Sequence, residues 1–165
     1  MGHRALLAYE RADGNYDLHR SHWGGANFAL ADAITVDDPF ADRVAGTVDF
    51  EPLATDLELT EIVADHLDFL HHEAFYRVAR NYEVTPFHVC WFGLEAECET
   101  VERSETVGNG VAVEAEPPDD YFRGWFRGTK ATVAELVDRG LFAPDDAREY
   151  LVTRIASWAS EREVL

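Results

Sequence analysis

The sequence predicts an α+β domain: an antiparallel sheet of about four strands, one long core helix packed on it, and a C-terminal αα-hairpin. Three observations predict it. Strand-like alternation flanks an Asp-Gly turn near the start, a helical apolar period fills the middle, and two helical stretches with start and stop signals close the chain. At 165 residues the chain reads as a single domain over residues 1–165, able to bury roughly two thirds of its unfolded surface around one core.

Residues 4–10 and 16–23 alternate as strands, and Ala12-Asp13-Gly14-Asn15 between them tolerates the positive φ of a hairpin turn. On the second strand His19 and His22 fall on opposite faces, which weakens His-x-x-His as one metal site. Gly24-Gly25 ends it, and residues 26–53 read as short helical turns and loop. Over residues 57–82, Leu59, Ile62, Val63, Leu67, Leu70, Ala74 and Val78 recur on one side at 3.6-residue spacing, so this stretch is the expected core helix. His66, Glu73 and Arg77 share one edge of that face. The plain account pairs Glu73 with Arg77 across one turn and gives His66 a backbone carbonyl.

Residues 84–95 form an almost unbroken apolar run with Pro86 near its start, as in a strand buried on both faces. His88 and Cys90 share one face of it, and Phe87, Val89 and Trp91 the other. His-x-Cys is two soft ligands without a second pair, so Cys90 is read as core. Residues 98–109 are polar loop, and residues 111–114 a short strand. Tyr121-Phe-Arg-Gly-Trp-Phe-Arg-Gly128 reads as an aromatic turn ahead of a helix capped by Thr129 or Thr132 with Glu135, stopping at Gly140. Pro144 with Asp145 and Asp146 starts the last helix, whose buried stripe is Ala147, Leu151, Ile155 and Trp158.

Charge is the strongest compositional signal: 14 basic against 32 acidic residues gives −18, and Lys130 is the only lysine. Such a surface suits concentrated salt, where the Debye length falls to about 3 Å and carboxylate repulsion is screened. The chain is therefore expected to lose structure at low ionic strength, which circular dichroism checks in a titration downward from concentrated KCl. The same charge argues against an extended nucleic-acid groove. No signal-peptide pattern follows Met1, no run approaches the roughly 20 apolar residues of a membrane span, and Cys90 and Cys98 make no disulfide framework; a cytoplasmic setting is expected.

The segments HRALLAYERADGNYDLHRSHWGG, DHLDFLHHEAFY and DDYFRGWFRGTKATVAELVDRG are the most specific part of a resemblance that runs over most of the length. In these the chain resembles a family of small uncharacterised proteins from halophilic archaea. The resemblance implies salt adaptation and carries no activity, cofactor or catalytic residue.

Two constellations could carry chemistry. The first is Arg123, Trp125, Arg127 and Lys130, with Tyr121, Phe122 and Phe126 interleaved, ahead of the expected helix N-terminus, where cations and free N–H groups favour an anion. This predicts a binding module for a protein partner or a small anionic ligand. Its bland rival has the aromatics in the core and the arginines paired with Asp119, Asp120 or other carboxylates. The second is His66 and Glu73, joined by His19, His22 or His88, as the base and orienting carboxylate of a small, metal-assisted or metal-free hydrolase or transferase. Asp68 and His72, at i, i+4, have the spacing for two ligands of one metal and face away from the core. The sequence carries no Gly-x-Ser-x-Gly elbow, P-loop, Rossmann fingerprint or His-Glu-x-x-His.

Overall fold

The computed structural model describes residues 2–44 and 46–165, leaving Met1 and Ala45 outside. Six strands make one sheet: β1 (Ala5–Glu10), β2 (Tyr16–Ser21), β3 (Ala54–Leu57), β4 (Ala74–Val78), β5 (Val84–Trp91) and β6 (Gly110–Glu114), in the order β3-β2-β1-β4-β5-β6. Neighbours are antiparallel except β1 and β4, which run parallel. The α+β class holds. The antiparallel sheet of about four strands becomes a mixed sheet of six.

The helices are α1 (Leu30–Ala33), α2 (Leu59–Glu61), which continues into a π turn over Ile62–His66, α3 (Asp120–Asp138) and α4 (Pro144–Trp158). No long helix spans residues 57–82. Helical geometry ends at Leu67, which is already extended at φ −77°, ψ 112°. The Asp68 carboxylate then accepts the backbone N–H groups of Leu70 and His71 at 3.1 Å each, a local turn that competes with helix propagation. Ala74–Val78 follows as a strand because Phe75, Tyr76 and Val78 suit a pleated surface and pair on both sides, with β1 and with β5. Glu73 and Arg77 consequently never meet across a helical turn. Arg77 pairs with Glu163 at 2.8 Å, and Glu73 with His3 at 2.8 Å.

The hairpin of β1 and β2, the interior strand β5 and the αα-hairpin of α3 and α4 form as the sequence predicts. One face of the sheet, with Ala5, Leu7, Ala74 and Tyr76, is covered by Phe28, Leu30, Ile34 and Val48. Farther along, Cys90 and Val113 lie under Phe122, Val133, Leu151 and Ile155 from the helical hairpin. The other face, with Leu6, Leu18, Phe75 and Phe87, is covered by Leu57, Ile62, Leu67 and Phe69. At the β6 edge, Ala112 and Leu165 exchange both backbone hydrogen bonds, at 3.0 and 2.8 Å, so the tail closes an edge that would otherwise invite another strand. Among the described residues no helix is long and apolar enough to cross a membrane.

Candidate functional site

Pairing of Ala5 with Ser21 and Ala74, and of Ala74 with His88, brings the start of β1, the end of β2, the start of β4 and the later half of β5 to one end of the sheet. Helix α3 runs against that end. Between them lies a hollow of about 510 Å³. Arg123, Arg127 and Lys130 line it from α3, where spacings of four and three residues put them on one helical face. His72, Glu73, His88 and Glu97 supply its other polar walls, and Phe69, Phe122 and Phe126 its apolar ones.

The three cations therefore converge, although by a route the sequence does not predict. They sit inside α3, which starts at Asp120, and not ahead of a helix N-terminus. Thr129, Thr132 and Glu135 are interior residues of it and cap nothing. Phe122, Trp125 and Phe126, at i, i+3 and i+4, hold the first turns down, while Gly124 and Gly128 face open space. Trp125 turns from the hollow; it packs on Phe122 and Trp158 and lines a groove between α3 and α4 instead.

None of the three cations forms an ion pair with a carboxylate among the described residues. Two of them lie over aromatic rings. The Arg123 guanidinium lies over the Phe28 ring at 4.9 Å and the Lys130 ammonium over the Trp91 ring at 4.5 Å. Lys130 is only 8 % exposed, and burial pulls its pKa below the ordinary lysine value while Glu95 and Glu97 act against the shift. Phe28 holds its ring in place from a left-handed backbone at φ +54°, beside Asn27 at φ +51°. That conformation costs a bulky residue on the order of 1–3 kcal/mol.

Behind the hollow runs a buried polar chain. His88 Nε2 is 2.8 Å from Asp119 Oδ2, which also takes Arg162 Nη1 at 2.5 Å; the three side chains are 4, 8 and 15 % exposed. Burial depresses the His88 pKa, Asp119 opposes that shift, and Arg123 and Arg162 add to it. Burial alone would raise the Asp119 carboxyl, and the bonds from Arg162 and His88 outweigh it, holding the group below the usual range. Neutral His88 thus donates Nε2–H to an ionised Asp119, and its Nδ1 lone pair has no protein partner among the described residues. Sequence reading offers Asp119 as an ion-pair partner of Arg123 or Arg127, whereas it meets His88 and Arg162, and it assigns Arg162 and Phe28 no role. Their common signal is tertiary contact.

The second expected constellation does not assemble. His66 lines a different hollow, together with His22 and His72. Glu73 hydrogen-bonds His3, His19 Nδ1 meets the Asp49 carbonyl at 2.8 Å, and His88 meets Asp119. Asp68 bonds the His71 ring at 2.9 Å, and its backbone N–H donates to His72 Nδ1 at 3.0 Å, so that pair makes no metal site. Among the described residues no three His, Cys, Asp or Glu side chains are grouped to hold a metal ion. The bond at Nδ1 leaves the proton of neutral His72 on Nε2. Burial keeps its pKa low, Asp68 opposes, and Arg4 reinforces the shift.

In the comparison with known proteins, the model of DUF6735, described as a family of unknown function, matches residues 1–47 and 41–165. No curated protein and no solved structure matches the chain.

Proposed function

We propose, for a chain that belongs to the family of unknown function DUF6735, that it binds a small ligand bearing a phosphoryl or carboxylate group in the hollow under α3. Arg123 and Arg127 would clamp the anion through their planar N–H forks, and Lys130 would meet it with a partly desolvated charge. One observation carries this reading: three cations that form no ion pair among the described residues line one hollow of a chain whose net charge is −18. Arginines fixed by surface ion pairs would have argued for a structural role; these two are not so fixed.

The aromatic contacts support the same reading. A cation held over a ring keeps its donors available at the edge, whereas one bonded to a carboxylate has them occupied. The unpartnered His88 Nδ1 adds an acceptor that suits the hydroxyl of a protonated phosphate or of a sugar. Salt adaptation belongs to the same proposal, so binding is best measured in concentrated KCl.

The test is a thermal melt of the purified protein with phosphorylated and carboxylated metabolites added singly. A ligand at 100 times its dissociation constant adds roughly 2.7 kcal/mol, or about 5–11 °C for a domain of this size. The double variant Arg123→Glu/Arg127→Glu should lose that shift entirely while retaining its circular dichroism spectrum, because both residues are exposed on α3. A shift of unchanged size in the variant would place the ligand elsewhere and sink the reading.

A further inference from the structure

A second hollow, of about 330 Å³, opens at the same end of the sheet. Arg4 and Arg20 line it from the start of β1 and the end of β2, with His22, His66 and His72. No carboxylate side chain lines it, although acidic residues outnumber basic ones by 32 to 14 in the chain. Among the described residues the side chains of Arg4, His22 and His66 make no hydrogen bond within the protein, and Arg20 engages Asp49 through Nε alone, at 2.7 Å. The hollow thus offers the guanidinium donors of Arg4, and those of Arg20 beyond Nε, with no carboxylate side chain among its walls.

His72 belongs to both hollows. Its Nδ1 is occupied by the Asp68 N–H, so what it presents in its neutral form is the Nε2–H donor. Two hollows that share one imidazole wall are adjacent sites, and the carboxylates near that wall, Glu73 and Glu97, belong to the hollow under α3 alone.

We infer that the second hollow is a further anion subsite for the same ligand, which therefore carries two anionic groups, one under Arg123, Arg127 and Lys130 and the other beside Arg4, His22 and His66. The inference rests on the reading of the hollow under α3. The chemical class is a small molecule phosphorylated or carboxylated at both ends. Tethering makes the second contact intramolecular, so affinity gains steeply when the spacing fits and gains nothing when it does not.

The experiment compares alkane-α,ω-bisphosphonates of increasing chain length with alkyl monophosphonates of the same lengths, by calorimetric titration in one KCl buffer. At least one bisphosphonate is expected to bind tenfold or more tightly than its monophosphonate, a difference of about 1.4 kcal/mol. Arg4→Gln and, separately, His66→Gln should each remove most of that gain and leave monophosphonate affinity at the wild-type value. A length series with no gain, or a gain that survives both variants, overturns the second subsite while monophosphonate binding that still depends on Arg123 and Arg127 keeps the first. Monophosphonate binding that is absent, or indifferent to Arg123→Glu/Arg127→Glu, removes both.

Discussion

Replacing Asp119 with alanine is expected to remove about 3–5 kcal/mol of stability, the usual cost of deleting one partner of a buried charged pair. The wild-type carboxylate, 8 % exposed, accepts from Arg162, from His88 and, at 3.3 Å, from the backbone N–H of Glu116. Alanine leaves the His88 N–H without its acceptor and the Arg162 charge without its nearest counter-ion, with only the Glu114 carbonyl at 3.3 Å still accepting from Nη1. Arg162 retains its cation–π contact with Trp158 at 4.7 Å and a 3.4 Å contact with exposed Glu116, so the lower end of the range is expected. That corresponds to a fall in Tm of about 6–12 °C at 2–4 °C per kcal/mol. Asp119→Asn preserves volume and one acceptor oxygen and should lose clearly less. Urea unfolding in concentrated KCl measures both variants, and an alanine variant that melts within about a degree of wild type would show that this network contributes little.

Phe122→Ala is expected to cost a similar 3–5 kcal/mol, through an emptied core position instead of a stranded charge. Phe122 is 1 % exposed, and its ring centroid lies 4.7 Å from those of His88 and Trp158 and 5.9 Å from that of Trp125. It ties α3 to β5 and to α4 at once, so the surrounding groups cannot all move inward to fill the void. Phe122 is also a wall of the α3 hollow, and the same substitution should weaken anion binding by widening it. Phe122→Leu retains most of the volume and should cost under about 1.5 kcal/mol. Melting curves of the three proteins, with and without ligand, separate the two effects. Equal Tm values for wild type and Phe122→Ala would show that the packing at this junction is not what holds α3 in place.

What was legible in the sequence is what local chemistry decides. Asp13-Gly14 sets a turn whatever surrounds it, with Gly14 at φ +89°, and Pro144 with two aspartates starts a helix by its own geometry. His88 and Cys90 fall on one face because strand periodicity needs no partner to express itself. Residues 57–82 misled because Ala74–Val78 is buried on both faces, so its run of apolar residues shows no alternation and fits a helical template equally well. Only pairing with β1 and β5 distinguishes the two, and pairing is not a local property. Gly124 and Gly128 misled in the opposite direction. The segment that holds them reads as an aromatic turn ahead of the helix, yet each glycine costs only about 1 kcal/mol on an exposed helical face, less than the three aromatic anchors of the same turns contribute by burial. The basic cluster was visible by spacing. The histidine that joins the two hollows was not, since His72 gains that position from the path of the chain between Asp68 and β4.

The parallel pairing of β1 with β4 has a consequence for synthesis on the ribosome. Ala5 emerges early and can close a hairpin with β2 at once, while its other neighbour, Ala74, has not yet been made. At elongation rates of 5–20 residues per second that second edge waits about 3–14 s, an interval in which an unpaired apolar strand is open to other nascent chains. The buried residues Leu6, Leu7 and Ala8 lie on that strand, so the part of the sheet that ends up most protected is the part the growing chain leaves uncovered longest.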